Sequence, residues 1–256
     1  MSRLAGKRIA VTRPAGQSAA LAQLIRDAGG EPLLVPAIEI RELDDLRPFQ
    51  AIADRLESFD LAIFVSRNAV RKAIEMLRAR RGDRPWPSRL AVATVGQGSR
   101  EELEAEGFSG VIAPAAQSDS EALLALPELG AVHGKRVAIF RGDGGRRLLG
   151  EVLAKRGAIV EFAACYRRVR PEGGEQLAAG IGEVDAVTLS STEGLANFLH
   201  MLGEDGARRL ARTPFFVPHR RVADEAARRG LARVIVAGPR DAEMVAALVA
   251  YFDGAR

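Results

Sequence analysis

The sequence predicts an α/β protein made of two similar domains, each a parallel sheet with helices on both faces. Three observations carry that prediction. The chain repeats itself: Gly6-Lys7-Arg8-Ile9-Ala10-Val11-Thr12-Arg13 returns as Gly134-Lys135-Arg136-Val137-Ala138-Ile139-Phe140-Arg141, and the register then places Leu21 on Leu149, Gly29 on Gly157 and Leu34 on Phe162. Short apolar runs alternate with segments of helical periodicity, the pattern of strands buried on both sides between covering helices. The length, 256 residues, suits two domains of about 125 residues each.

The elements follow in order. Residues 9–11 read as a strand, and the apolar spacing from Ala19 through Ile25 reads as a helix that Gly29-Gly30 stops. Residues 33–35 form the next strand. The same alternation gives a strand at 61–65 with a helix over 68–77, a strand at 90–95 with a helix over 100–106, and a strand at 111–112 with a helix over 120–126. The second half answers these units in the same order. Asp60-Leu61-Ala62-Ile63-Phe64-Val65-Ser66 matches Asp185-Ala186-Val187-Thr188-Leu189-Ser190-Ser191, and both lead to a Met-Leu pair (Met76-Leu77, Met201-Leu202). Gly107 before Val111-Ile112 matches Gly230 before Val234-Ile235, and Asp119-Ser120-Glu121 matches Asp241-Ala242-Glu243. Repetition of this kind implies two lobes of one design, and a cleft between such lobes is a usual place for a small-molecule site.

Two domain divisions fit the repeat. One cuts the chain near residue 130. The other has it leave the first domain along 35–40, build the second, and return along 164–169, so that two extended segments at matching positions pair as a ribbon. Composition does not choose between them. Under either division, ligand groups belong in the βα loops at the carboxyl ends of the strands.

Composition narrows the function. Hydrophobic residues make up 47% of the chain, enough for a packed core. The formal net charge is +4, and nearly all the cations are Arg, since Lys7, Lys72, Lys135 and Lys155 are the only lysines. A surplus of Arg favours a carboxylate or phosphate partner, or reflects Arg usage without functional content. The basic residues are scattered among acids and aromatics are 5%, so a nucleic-acid groove is not expected. Cys165 is the single cysteine, and His133, His200 and His219 lack ligand spacing, so no metal site is expected. No apolar stretch is long enough to span a bilayer, and the first residues lack the apolar segment of a signal peptide. The expectation is a cytoplasmic protein with no membrane partner.

Several loops carry candidate chemistry. Gly96-Gln97-Gly98-Ser99-Arg100-Glu101 begins like a dinucleotide fingerprint, but Glu101 stands where a third glycine should allow close packing. Arg141-Gly142-Asp143-Gly144-Gly145-Arg146-Arg147 lacks the ending of a P-loop and reads as a flexible turn or as an anion cradle. Ser66-Arg67-Asn68, Ser190-Ser191-Thr192 and Ser118-Asp119-Ser120-Glu121 read first as helix caps. Arg13 and Arg141 occupy the same point of the two repeats, either as solvated surface or as a pair of grips for a multiply charged acid. Tyr166 lies on a crossing segment, as a packed aromatic or as a phenol that donates a proton to a leaving oxygen.

Taken in order, these residues resemble the uroporphyrinogen-III synthases. The resemblance covers nearly the whole chain and rests on Thr12-Arg13-Pro14, Val65-Ser66-Arg67-Asn68-Ala69-Val70, Val95-Gly96 with Gly107, and Ser118-Asp119-Ser120-Glu121-Ala122-Leu123-Leu124. Arg141-Gly142 with Gly144-Gly145-Arg146, Tyr166-Arg167-Arg168 and Ser190-Ser191 complete it. The chain departs from the family's Gly-x-x-Thr-Ala pattern in the third unit of each half, at Gly96-Gln97-Gly98-Ser99-Arg100 and at Pro218-His219-Arg220-Arg221-Val222-Ala223.

The resemblance implies two flavodoxin-like parallel-sheet domains joined by a two-stranded ribbon, with a cleft between them. Domain one would be residues 1–36 plus 169–256 and domain two 39–165, with linkers near 36–40 and 164–169. It also implies closure of linear hydroxymethylbilane to uroporphyrinogen III with the terminal ring inverted, and no metal or organic cofactor. Tyr166 would be the catalytic acid. Arg13, Ser66, Asn68, Gln97, Ser118, Arg141, Gly142, Ser190, Ser191 and His219 would bind the substrate, a linear tetrapyrrole polycarboxylate, in a monomer. A non-catalytic two-domain module for small anions or regulation is the competing reading, and a nucleotide- or flavin-dependent enzyme is a third.

Overall fold

The computed structural model describes residues 3–115, 119–145, 147–179, 181 and 184–254, with Leu177 and Ala179 described by their backbone alone. The chain opens with β1 (Arg8–Val11), α1 (Ala19–Asp27), β2 (Glu31–Leu34) and β3 (Glu39–Arg41). It continues through α2 (Arg47–Ala53), β4 (Leu61–Phe64), α3 (Arg67–Arg81), β5 (Ala91–Thr94), α4 (Gln97–Ala105), α5 (Ser120–Leu124) and α6 (Pro127–Gly130). Then come β6 (Arg136–Gly142), α7 (Leu148–Lys155), β7 (Ile159–Val169) and α8 (Gly174–Ala179). The last stretch is β8 (Ala186–Thr188), α9 (Thr192–Leu210), β9 (Phe215–Val217), α10 (Arg220–Arg228), β10 (Val234–Val236) and α11 (Asp241–Asp253). Among the described residues, no helix is long and apolar enough to cross a membrane.

The contacts divide the chain into two compact units. Unit one is Met1–Ile40 with Val169–Arg256, and unit two is Arg41–Arg168. Each holds one five-stranded sheet, ordered β2-β1-β8-β9-β10 in the first and β3-β7-β6-β4-β5 in the second. The pairings among β1, β2, β8, β9 and β10, and among β4, β5, β6 and β7, are parallel.

Superposing the repeat on the sheets gives one result. β6 and β7 are the counterparts of β1 and β2, and β4 and β5 those of β8 and β9. An isolated parallel bridge from Ala93 to Ile112 stands where β10 stands in unit one. The spatial order β2-β1-β8-β9-β10 is therefore the order β7-β6-β4-β5-Ile112, reached by a permuted path along the chain. The expected strand at 111–112 is thus reduced to one bridge.

The strands form because their residues suit both faces of a sheet. In unit one, Ala10, Val187, Phe215 and Val217 enter one core, while Ile9, Val11, Ala186 and Phe216 enter the other. In unit two, Leu61, Ile63, Val137 and Ile139 share one core. Phe64 and Phe140 stack on the opposite face at 4.8 Å, and Phe49 meets Phe140 edge-on at 6.0 Å.

Four helices end alike. Gly29, Gly107, Gly157 and Gly230 each follow the last helical residue by two, with φ of 87°, 92°, 86° and 85°. Each is followed by an amide that reaches back five residues: Gly30 to Ile25, Phe108 to Leu103, Ala158 to Leu153 and Leu231 to Ala226, at 2.9–3.1 Å. This is the Schellman closure, and its left-handed residue favours glycine.

Three boundaries differ from the sequence expectation. α3 runs on to Arg81 because that side chain, buried at 8% exposure, donates to Ala53 O and pairs with Glu57 instead of turning to solvent. α4 begins at Gln97, so 97–99 form a first helical turn and not a loop. The helix expected over 120–126 stops at Leu124, and Pro127 opens a new one at its first position.

Candidate active site

In an open parallel sheet, ligands bind outside the carboxyl ends of neighbouring strands whose connections depart in opposite directions. In unit two these strands are β6 and β4, and in unit one they are β1 and β8. Most of the site residues expected from sequence lie at these two places.

The arrangement in unit two centres on Tyr166. Its hydroxyl lies 3.1 Å from Ser66 Oγ, although Tyr166 is on β7 and Ser66 follows β4, with β6 between them. The ring crosses β6 at Gly142. A Cβ there would stand 2.7 Å from Tyr166 Cε2 and 2.9 Å from its Cζ, so only glycine leaves room. Gly142 is a seat for the ring, a role its reading as a carboxylate contact did not contain.

A β-bulge sets the crossing. Arg141 pairs with Ala164 but Gly142 pairs with Tyr166, so Cys165 is the extra residue on β7. The Asp143 amide donates to Tyr166 O at 2.6 Å, extending the link between the two strands past the bulge. Cys165 Sγ donates to Arg141 O at 3.2 Å, and burial pushes its thiol up to about 12. It is an internal packing group with no thiolate character at neutral pH. Tyr166 itself is 2% exposed.

Ser66 does two things. Its Oγ accepts the Ala69 amide at 3.1 Å and so caps α3, as the sequence led one to expect. The same oxygen meets the tyrosine hydroxyl. The phenol therefore sits beside the N-terminus of a 15-residue helix, where developing negative charge is stabilised. Asn68 is in the first turn of that helix, half-buried. Gln97 opens α4 after β5, and its amide donates to Pro114 O at 2.7 Å. Gly98 lies under the Arg67 guanidinium, which pairs with Glu101 at 3.6 Å. The residue that breaks the dinucleotide fingerprint thus pairs with an arginine that lies over the first turn of α4.

Arg141 sits beside the tyrosine, with its Nε donating to Gly142 O at 3.2 Å. Burial lowers the pKa of its guanidinium, and the charges of Arg168 and Arg147 lower it further. Arg13, its counterpart in the repeat, is in the opposite setting: it is ion-paired with Asp241 and its side chain is 15% exposed. The two arginines are equivalent in sequence and not in electrostatics.

In unit one, Thr12 Oγ1 donates to Thr188 O at 2.8 Å and Thr188 Oγ1 to Ala10 O at 3.2 Å, tying β1 to β8 at the switch point. Ser191 caps α9 by accepting the Gly194 amide at 3.0 Å, the same role Ser66 has in unit two. Ser190 precedes it, half-buried, and His219 is the exposed N-cap of α10. Ser118, expected to contact the substrate, and Arg146 of the glycine-rich loop lie outside the described residues.

Sequence reasoning did not single out Arg147, Arg168 or Phe162 as site residues. The arginines stood in quoted motifs as flanks. Nothing in one sequence shows that β7 and the loop after β6 bring them together.

The family model described as "Uroporphyrinogen-III synthase HemD" matches residues 19–246. A uroporphyrinogen-III synthase of Salmonella typhimurium is 39% identical over 62% of this chain and 64% of its own length, just under two thirds. One from Proteus mirabilis is 35% identical over 63% of this chain and 80% of its own. Among solved structures, a mutant uroporphyrinogen III synthase from Thermus thermophilus shares the fold with a TM-score of 0.67 at 19% identity, covering 98% of this chain and 100% of that one. With the family model matched over residues 19–246, most of the chain, this chain belongs to the uroporphyrinogen-III synthase family.

Proposed function

We propose that this chain closes hydroxymethylbilane to uroporphyrinogen III, inverting the terminal pyrrole ring and releasing water, with Tyr166 as general acid. One observation carries the assignment of Tyr166: its hydroxyl meets the capping serine of α3 at 3.1 Å, at the carboxyl ends of β6 and β4.

The chemistry asks for little more. The hydroxymethyl group must lose its oxygen, and the pyrrole nitrogen supplies the electron pair that makes the azafulvene. Protonation by the phenol lets the oxygen leave as water. Ser66 and the α3 amides stabilise the phenolate left behind. Burial of the ring keeps bulk water from the hydroxyl. The terminal ring then attacks the new electrophile through its substituted carbon, giving a spiro intermediate. Without an enzyme the uninverted isomer forms, so holding the chain in the productive shape is the larger contribution.

The substrate carries eight carboxylates. Arg141, Asn68 and Gln97 in unit two, and Arg13, Ser190, Ser191 and His219 in unit one, supply donors for them, with Arg13 available only in exchange with Asp241. The reading includes a cytoplasmic monomer. Its partner is a small polyacid and not a nucleic acid, a reading supported by arginines that are matched to acids, as in Arg71–Glu102 and Arg80–Asp54.

The test is to supply hydroxymethylbilane and separate the isomers chromatographically. The type III isomer is expected from the wild type. Tyr166→Phe is expected to lower kcat at least about tenfold, the weak end of a general-acid contribution. An unchanged kcat removes Tyr166 from the mechanism.

A further inference from the structure

Tyr166 is held at both of its ends, and one side chain joins the two holds. At the ring end the hydroxyl meets Ser66 Oγ at 3.1 Å, and the same oxygen accepts the Ala69 amide at 3.1 Å. At the main-chain end the carbonyl accepts the Asp143 amide, and the bulge at Cys165 sets the register from which the ring departs. Cys165 lies against both sides. Its Sγ is 3.2 Å from Arg141 O on β6 and 3.8 Å from Ala69 O in the first turn of α3. The contacts close a circuit. It runs from the Tyr166 hydroxyl to Ser66, on to Ala69, from Ala69 O to the Cys165 thiol, and along one peptide bond back to Tyr166.

Cys165 therefore does more than fill space where β6, β7 and α3 meet. A bulged residue stands outside the ladder, so its side chain is the group left to fix it to its neighbours. A thiol carries one proton, so it donates to one carbonyl at a time and stays in polar contact with the other. Burial keeps that proton on the sulfur at neutral pH. The bond is weak, but what it sets is a distance, and a displacement of about 1 Å in a catalytic group can cost about a hundredfold in rate.

We propose that Cys165 is a positioning residue for Tyr166: by linking the carbonyls of Arg141 and Ala69 it fixes the first turn of α3 against the β7 bulge, and so holds the tyrosine hydroxyl on Ser66. It acts through the tyrosine and not on the substrate. Its effect on turnover rests on the function proposed above, whereas its effect on the hydroxyl rests on the geometry alone.

Cys165→Ala deletes the sulfur, and Cys165→Val fills the space without a donor. Each is expected to lower kcat for hydroxymethylbilane about tenfold with KM within about twofold, the split of a misplaced acid in a site that still binds. Cys165→Ser keeps a donor and should recover kcat to within about threefold of wild type. In a Ser66→Ala background, Cys165→Ala should cost less than about twofold more, because the contact it positions is already gone. Leu129→Val is the control: it trims the apolar core of unit two outside this circuit and should leave kcat unchanged.

A second readout needs no turnover. The chain has two tyrosines, Tyr166 and Tyr251, so isotope labelling at the ring carbon that bears the hydroxyl gives two resonances, which Tyr251→Phe assigns. The Tyr166 resonance should move in Cys165→Ala and Cys165→Val, and should keep its place in Cys165→Ser and Leu129→Val. The proposal is overturned by a kcat within about twofold of wild type in both variants that lack a donor, or by a loss in Leu129→Val equal to theirs. A Tyr166 resonance that does not move overturns it as well. If the wild type makes no type III isomer while the resonance moves and recovers as expected, the function falls and the positioning of Tyr166 stands. If the isomer forms and the resonance stays put in every variant, the function stands and the positioning falls.

Discussion

At the scale of single residues, Gly142 decides whether the Tyr166 ring can reach Ser66. The ring must pass over β6 to reach Ser66, and the strand offers a gap only because this position has no side chain. Gly142→Ala should push the ring off its seat. The expected result is a fall in kcat comparable to that of Tyr166→Phe and a loss of stability of about 1–3 kcal/mol, as for other overpacked sites. The two changes should not add: the double variant should be about as slow as either alone, because both remove the same contact. Fully additive losses in a steady-state comparison would show that Gly142 acts through something else. Tyr166 was legible in the sequence as a tyrosine on a crossing segment, either packed or proton-donating, and the resemblance pointed to the second. Its partner was legible as a helix cap. The glycine was noticed as a donor of backbone contacts, since a single sequence does not reveal that a ring from another strand lies on it.

At the scale of elements, β7 does most of the positioning, and its bulge at Cys165 left no mark in the sequence. The alternating apolar pattern would place residues 164 to 166 on strictly alternating faces, and the extra residue overrides it. Helix ends were easier. Gly29, Gly107, Gly157 and Gly230 announce a left-handed residue, whereas the true end of α3 was hidden because Arg81 is both charged and buried. The amino-terminal half of β7 is fixed by charge. Glu161 accepts from Arg55 and Arg136; the hydrogen bond from Arg55 holds its carboxyl below the usual range, burial is the next largest effect and opposes it, and the charges of both arginines with the Arg136 hydrogen bond add to the lowering. A depressed folded-state value means the contribution is present above the unfolded-chain pKa, about 4.3, and is lost as the pH falls through the folded one. Glu161→Gln should therefore cost up to about 1 kcal/mol at pH 7, and the difference from wild type should close below about pH 4. Urea unfolding at pH 7, 5 and 3 checks this, and a gap that persists unchanged at pH 3 would rule the ion triad out as its source.

At the scale of the whole molecule, the two sheets have one spatial order written along the chain in two ways. The repeat pointed to this, because β1 and β6 match residue for residue in type, and β4 and β8 do so except where Ile63 answers Thr188. What the repeat left undecided was where the chain changes units, since a matched segment fits a continuous or a crossing path equally well. Unit two is continuous and has its own apolar core around Leu61, Ile63, Val137 and Ile139. A fragment of residues 39–169, which retains all five strands of that sheet, should unfold cooperatively in denaturant. A fragment without a sigmoidal transition by circular dichroism would mean that this core does not suffice.

Unit one is different, because its central pair is β1 with β8 and the whole of unit two lies between them along the chain. On a ribosome, β1 and β2 leave the exit tunnel long before the strand that must flank them. They wait as a bare two-stranded edge while the other sheet is made and closed. The early part of this protein is thus the last to be finished, and in a nascent chain it is the part most in need of protection from unwanted pairing.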